Sequence, residues 1–546
     1  MPRKRVYILS GILLALLAGL LIRIAVLQLF PSNALAESAF RQRLSNDSVE
    51  KLRGNILDRN GISFTNRSTK YIALIKPAYI KKSDGDKAEV CKALGLEPGV
   101  LDGLNTNSSP FTVVTSKEGC EEIAKKQPEW VTMLYSLNRY DSGTLAKHII
   151  GYLSKKDRVG QAGMEKAYEK ELRDNAVFEI GAVTDAAKNP IKGMGYRLKT
   201  DGTVNKLNVK LTLDYHIQKI VEEVMEKSKV SGAVVVEDVF TGDILAMASK
   251  PDFDPDSVEK YLGSSGNELF NKATAAYNLG SVFKIVDVAA TFEYTDITPE
   301  IDYCTGAVNV NGLEFKCSSY ASGGHGELDL EQAFAESCNA YFIDLCLQTG
   351  YKNLILMAQR FGLGECTGIA GQGVNEAAGS LPPLKGYYSQ ADIANLAIGQ
   401  GVLLATPLQV ADMVATVANG GIRNKVNIVD SLVDEEGRKV KEIKVQEGHR
   451  IISRETAGKL KDLMEAVTSY GTGTAAGMEY YGGAGGKTGS AETGSASVVH
   501  AWFAGYFPIA QPRYSVVVFV ENGQYGGKAA APVFSEIARQ MTDRGM

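Results

Sequence analysis

The sequence has no surplus of positive charge: 59 Lys and Arg stand against 63 Asp and Glu, for a net charge of −4, and the cations are spread along the chain. A polyanion finds no electrostatic footprint here, so nucleic-acid binding is not expected. There is no tandem repeat at a fixed period and no low-complexity tract, which argues against a solenoid or a disordered scaffold. Long apolar runs are also missing, with one exception at the start, so the rest of the chain has the composition of a soluble globular protein. Nor do the cysteines pair off. There are seven, and an odd number outside a membrane leaves at least one thiol unpaired. What remains is a chain of 546 residues, 45% hydrophobic and 22% charged, long enough for two or three cores of roughly 100–200 residues each.

The exceptional run places the protein. After Arg3-Lys4-Arg5 comes an apolar run from Val6 to Phe30 interrupted by one charge, Arg23. At about 1.5 Å per residue, such a helix crosses a hydrocarbon core roughly 30 Å thick, with Arg23 reaching toward the headgroups. The three leading cations predict a cytoplasmic N-terminus and an external body. The competing reading is a cleaved signal peptide ending at Ala34-Leu35-Ala36, but the apolar run exceeds the usual h-region of about 7–15 residues.

Residues 31–204 read as a scaffold of short strands (Tyr71–Ile75, Phe111–Thr115) and helices (Gly163–Leu172). The charged, glycine-bearing segments Lys51–Gly61, Arg139–Tyr152 and Gly163-Met164-Glu165 supply salt bridges and turns. No nucleophile, metal cluster or phosphate loop appears there. A new domain opens near residue 205. It begins with the alternation Val209–Asp214, a helix from about His216 to Lys229, and a hairpin of Ser231–Val239 and Ile244–Ser249. A second strand pair, Ala501–Phe507 and Tyr514–Glu521, precedes a C-terminal helix. With Gly483–Thr493 as a fifth strand, the expectation is an α+β domain: a five-stranded antiparallel sheet with flanking helices and, between about 250 and 470, an inserted helical lobe.

Three segments of this domain carry chemistry. In Gly280-Ser281-Val282-Phe283-Lys284, just ahead of an apolar helical run, Ser281 and Lys284 are three apart and share a helix face. A serine hydroxyl needs a base to take its proton, and lysine serves once desolvation or a neighbouring cation makes it neutral. In Ser337-Cys338-Asn339, a hydroxyl and a carboxamide point the same way if the backbone is extended, which suits proton shuttling and holding an amide. In Gly485-Gly486-Lys487-Thr488-Gly489-Ser490, the glycines allow close approach to a strand edge that a peptide can extend.

The order Ser-x-x-Lys, Ser-x-Asn, Lys-Thr-Gly resembles the motif set of penicillin-binding proteins and β-lactamases. Further segments are similar to class B penicillin-binding proteins of the elongation or sporulation type: Arg53–Gly61, Arg139–Gly151, Leu211–Asp214, Gly399-Gln400-Gly401, Thr406–Gln409, Ala418–Gly421 and Gly471-Thr472. Leu279 stands where the family commonly has proline, and Ser490 where it has threonine; neither removes a catalytic group. The resemblance implies residues 1–30 as cytoplasmic stub and anchor, 31–204 as a dimerisation-type pedestal, and 205–546 as a transpeptidase domain. It implies a peptidoglycan D,D-transpeptidase in which Ser281 attacks a stem peptide ending in D-Ala-D-Ala and Lys284 is the base. Ser337 and Asn339 would relay the proton and position the donor. Lys487 and Thr488 would bind the terminal carboxylate, Gly489 and Ser490 would continue the binding strand, and the amides of Ser281 and Ser490 would form an oxyanion hole. It also implies acylation by β-lactams, no cofactor for catalysis, and a SEDS-type glycosyltransferase as partner. Two other readings share the motifs: a D,D-carboxypeptidase or β-lactamase-like hydrolase, and a non-catalytic β-lactam sensor or wall-assembly scaffold.

The cysteines leave one further question. Cys304, Cys317, His325 and Cys338 supply three thiolates and an imidazole, a set suited to closed tetrahedral zinc. A Cys304–Cys317 disulfide or free thiols are the alternatives, while Cys346 and Cys366 are expected to be buried thiols. Some elongation-type members that the chain resembles carry a metal in the same region.

Overall fold

The computed structural model describes residues 2–29, 47–80, 87–97, 100–101, 111–182, 196–201, 206–300, 302–443, 446–493 and 498–546. The Ala34–Ala36 segment considered for cleavage lies outside the described residues. Helix α1 (Pro2–Leu29) contains a 20-residue span, Val6–Ala25, long and apolar enough to cross a membrane.

The chain divides into two compact units, and both are discontinuous in sequence. The first comprises Met1–Arg53, Thr69–Asn138 and Asp174–Asn205; the second comprises Gly54–Ser68, Arg139–Arg173 and Lys206–Met546. In the first unit a sheet of three strands, in the order Phe111–Thr115, Ser68–Ile75, Val131–Asn138, packs beside helices Lys87–Leu94 and Lys117–Lys126. The expected strands Tyr71–Ile75 and Phe111–Thr115 pair antiparallel with each other. Ala73, Ile75, Val90, Leu94, Ile123 and Trp130 form the core.

The second unit is built on a five-stranded antiparallel sheet. Its strands are β1 (Gly232–Asp238), β2 (Ile244–Lys250), β3 (Gly485–Glu492), β4 (Val499–Phe507) and β5 (Tyr514–Val520), in the spatial order β2-β1-β5-β4-β3. The helices that position the site are α2 (Tyr215–Lys227), α3 (Lys284–Tyr294), α4 (Asn339–Thr349), α5 (Pro407–Ala418) and α6 (Ala531–Asp543). Strand side chains alternate between faces. Val234, Val236, Phe503 and Val518 therefore pack on α2 and α6, whereas Val235, Trp502, Val517 and Phe519 join the core shared with α3 and α5. Asp214 caps α2 through the amides of His216 and Ile217. Thr406 and Gln409 form a capping box at the start of α5, whose residues are buried throughout.

Two features add to the sequence reading. The lobe between 250 and 470, expected to be mainly helical, also carries short strand pairs: Asp302–Cys304 pairs with Gly326–Leu328, and Ala307–Val310 pairs with Leu313–Lys316. Segments of the N-terminal half also build the second unit. Ile56–Leu57 runs parallel to Asn208–Leu211 at the edge of a four-stranded sheet. Buried Arg139 donates to the Gly54 carbonyl and to Glu165, each at 2.6 Å, and the Tyr140 hydroxyl donates to the same Glu165 oxygen at 2.9 Å. Pairings this distant in sequence leave no trace in local periodicity.

Candidate functional site

Gly280 is the local reason for the geometry around Ser281. It sits at φ +56°, and a Cβ there would collide with the Ser490 carbonyl, so the residue's small size lets the turn lie against β3. The turn Gly280–Phe283 is a 3-10 helix that runs directly into α3. Ser281 and Lys284 thereby share a face, with Lys284 Nζ 3.2 Å from Ser281 Oγ.

Lys284 is fully buried. Its Nζ donates to the Ser337 carbonyl at 2.7 Å and to Asn339 Oδ1 at 2.9 Å, and lies 3.3 Å from Ser337 Oγ. Burial pushes its ammonium down to about 8, with Cys338 and Asp287 acting in the opposite direction. Lys487, also fully buried, donates to Ser337 Oγ at 2.9 Å. Burial and then the Lys284 charge drive it well below the usual lysine range. The expected common direction of Ser337 and Asn339 is present, but an extended run does not produce it. Ser337 is left-handed at φ +58°, Cys338 is extended, and Asn339 is the first residue of α4. The reversal at Ser337 and the start of the helix return both groups to Lys284.

β3 is the outer strand of the sheet, paired to β4 on one side only among the described residues. Its free edge offers amides and carbonyls to an extended peptide. Thr488 Oγ1 lies 2.7 Å from Thr472 Oγ1, Gly489 is the partner of Trp502, and Ser490 is exposed.

Behind the second motif, the structure brings Cys304, Cys317, His325 and Cys338 together, with one donor atom from each within 4.8 Å of the others. Cys317 Sγ is 3.6 Å from Cys304 Sγ and 3.7 Å from Cys338 Sγ. These separations exceed a disulfide bond of about 2.05 Å. They match the edge of roughly 3.8 Å that zinc–sulfur bonds of about 2.3 Å impose on a tetrahedron. Gly306 N–H donates to Cys304 Sγ and Ala340 N–H to Cys317 Sγ, at 3.3 and 3.2 Å, and His325 Nδ1 is buried without a hydrogen-bond partner. The donor set fits a metal. Asn339 Nδ2 donates to the Lys316 carbonyl at 2.8 Å, tying the second motif to the same hairpin. Of the other two cysteines expected to be buried, Cys346 is, whereas Cys366 is exposed. Cys366 follows the C-terminus of a helix rather than lying within one, so no apolar face covers it.

One residue was not singled out from the sequence. Asp287 lies fully buried one turn beyond Lys284, and its signal was present: a carboxylate interrupting the apolar run Ile285–Ala290.

Comparison with known proteins agrees with this geometry. Residues 232–539 match the penicillin binding protein transpeptidase domain, and residues 48–193 the penicillin-binding protein dimerisation domain. The chain is 29% identical to stage V sporulation protein D of Bacillus subtilis, over 93% of this chain and 80% of that one. It is 25% identical to the peptidoglycan D,D-transpeptidase MrdA of Acinetobacter baumannii, over 97% of this chain and 87% of that one. A solved chain from a peptidoglycan synthase complex that coordinates polymerization and crosslinking superimposes with a TM-score of 0.74 at 25% identity, covering 99% of this chain and 98% of that one. Penicillin binding protein 3 of Mycobacterium tuberculosis complexed with aztreonam gives 0.64 at 25% identity, over 90% of this chain and 96% of that one. With the transpeptidase match alone spanning more than half of its length, the chain belongs to the class B penicillin-binding proteins and is a peptidoglycan D,D-transpeptidase.

Proposed function

We propose that the enzyme works through a serine acyl-enzyme with Ser281 as nucleophile and Lys284 as its base. The observation that carries this is a fully buried Lys284 whose Nζ lies 3.2 Å from Ser281 Oγ, in surroundings that favour the free amine. Ser281 Oγ bonds to the carbonyl carbon of the penultimate D-alanine while its proton passes to Lys284. The bond to the terminal D-alanine then breaks, and Ser337, touching both lysines, relays the proton to the leaving amine. Asn339 positions the donor. Lys487 and Thr488 bind its carboxylate, Gly489 and Ser490 extend the strand it pairs with, and the amides of Ser281 and Ser490 stabilise the oxyanion. An amine of a second stem peptide then takes the acyl group. A β-lactam enters by the same attack, as the aztreonam complex of the structural relative suggests.

The division into anchor, dimerisation-type pedestal and transpeptidase domain is part of this reading, with α1 as a single-pass anchor, the N-terminus cytoplasmic and the catalytic domain external. A glycosyltransferase of the SEDS type fits as partner, given the synthase complex among the structural relatives. Cys304, Cys317, His325 and Cys338 would hold zinc, which would supply a fixed node between the 304–328 hairpins and the start of α4. The test of the mechanism is covalent labelling by a fluorescent penicillin. Ser281→Ala removes only the attacking oxygen and should abolish labelling of a folded chain, whereas undiminished labelling refutes the assignment.

A further inference from the structure

A cavity of about 370 Å³ opens between the helices Tyr351–Arg360 and Gln390–Ala397 and the segment that follows the second of them. Volumes of this order hold small ligands. Its walls carry three aromatic rings, Tyr351, Tyr387 and Tyr388, and three planar polar side chains, Asp392, Asn395 and Gln400. Two of the rings are fixed in place. The Tyr351 hydroxyl donates to the Gly386 carbonyl at 3.0 Å, the Tyr388 hydroxyl donates to the Pro383 carbonyl at 2.7 Å, and the ring centroids lie 4.6 Å apart. Tyr387 lines the same cavity while 95% exposed, so its ring stands at the mouth. Asp392 and Asn395, three apart on one helix, share a face. Asp392 spends Oδ2 on the Ser389 amide and hydroxyl, and Asn395 spends Nδ2 on the Ala391 carbonyl. Asp392 Oδ1, Asn395 Oδ1 and the Gln400 carboxamide make no hydrogen bond among the described residues, so they are available to a ligand. The wall also adjoins the reaction site. Gln400 follows Gly399, whose carbonyl accepts from the Gly280 amide at 3.0 Å, and Asn278 Nδ2 donates to the Gly401 carbonyl at 3.1 Å. Gly280 directly precedes Ser281.

We propose that this cavity is a subsite for an N-acetylated amino sugar of the peptidoglycan glycan strand. The inference rests on the chain's action on peptidoglycan and not on the roles assigned to Ser281 and Lys284. A pyranose ring has an apolar C–H face that packs on an aromatic ring, and a rim of hydroxyl and acetamido groups that both donate and accept hydrogen bonds. The tyrosines meet the first part, and Asp392, Asn395 and Gln400 meet the second. Other ligand chemistries fit less well. Among the described residues, no Lys, Arg or His lines the cavity, so a carboxylate or phosphate finds no counter-charge. An ammonium would use the ring faces and the Asp392 carboxylate, but it only donates, and the Gln400 N–H groups would go unmatched. A wholly apolar group would desolvate three polar side chains without replacing their hydrogen bonds. The sugars of the strand carry the stem peptides. A sugar held beside the Ser281 turn therefore tethers the strand and raises the effective concentration of its stem at the cleft.

The test uses the full-length enzyme acylated by a β-lactam, so that the cleft is closed. The probe is chitotetraose, a neutral tetramer of N-acetylglucosamine, and its binding is followed by saturation-transfer NMR. The tetramer should bind the acylated enzyme as well as the free one. Tyr387→Ala removes a solvent-exposed ring and should weaken binding about tenfold, the scale of one lost aromatic contact. Tyr387→Phe keeps the ring face and should bind as the wild type does, and both variants should be acylated by the β-lactam at the wild-type rate. In cross-linking assays Tyr387→Ala should raise KM for stems attached to glycan and leave isolated stem peptides unaffected. Absence of tetramer binding, equal binding by Tyr387→Ala, or loss of binding on acylation overturns the proposal. So does Tyr387-dependent binding of n-butylammonium in place of the tetramer, which would make the cavity a cation cage. Acylation that survives in Ser281→Ala would instead remove the nucleophile assignment and leave the sugar subsite standing.

Discussion

At the scale of single residues, the proposed chemistry depends on excluding water from two lysines. An exposed lysine is a cation near neutral pH and cannot take a proton from Ser281. Lys284 is buried among uncharged acceptors beside a second buried cation site, and its ammonium falls to about 8. The sign follows directly. Below that pH Lys284 is protonated and inert as a base, and above it the amine is free, so the acylation rate constant should climb as pH rises through about 8. Stopped-flow acylation by a chromogenic β-lactam would show this limb, and a flat profile would point to another base. Lys284→Ala should lower the rate constant by about 10²–10⁴-fold, the range of general-base contributions.

At the scale of elements, two joints hold the second unit in its working form. One is the ion pair of Arg139 and Glu165, whose side chains are 3% and 0% exposed. Removing one partner of such a pair strands the other charge, so Glu165→Ala should cost about 3–5 kcal/mol, read as a lowered unfolding transition. The other is the thiol–imidazole cluster behind Cys338, which joins hairpin to helix directly beside Ser337 and Asn339. Protein purified without chelator should contain about one zinc per chain by elemental analysis. Cys338→Ser should lower both zinc content and melting temperature. A metal-free chain with Cys304 joined to Cys317 in a peptide map would rule the site out.

At the scale of the whole molecule, the proposed orientation follows from charge and hydropathy at the N-terminus. The span Val6–Ala25 has a mean hydropathy of 2.4 and follows a cluster of three cations. A reporter that works only outside the cytoplasm, fused after Met546, should be active in cells. Activity only of a cytoplasmic reporter would reverse the orientation.

The sequence by itself determined the long apolar helix at the start, the five strands of the sheet, the pairing of Ser281 with Lys284, and the candidate cysteines. Each of these is written in local order: a run long enough to cross a bilayer, a period of two, a spacing of three, or a residue type with one chemistry. Tertiary structure alone decided that Ser337 reaches both lysines through a left-handed turn, that Arg139 and Gly54 join the second unit, that Cys366 is exposed, and that Asp287 is fully buried one turn beyond Lys284. Those outcomes depend on which distant segments exclude water from one another. A buried charge is recognisable only once the chain that buries it is in place.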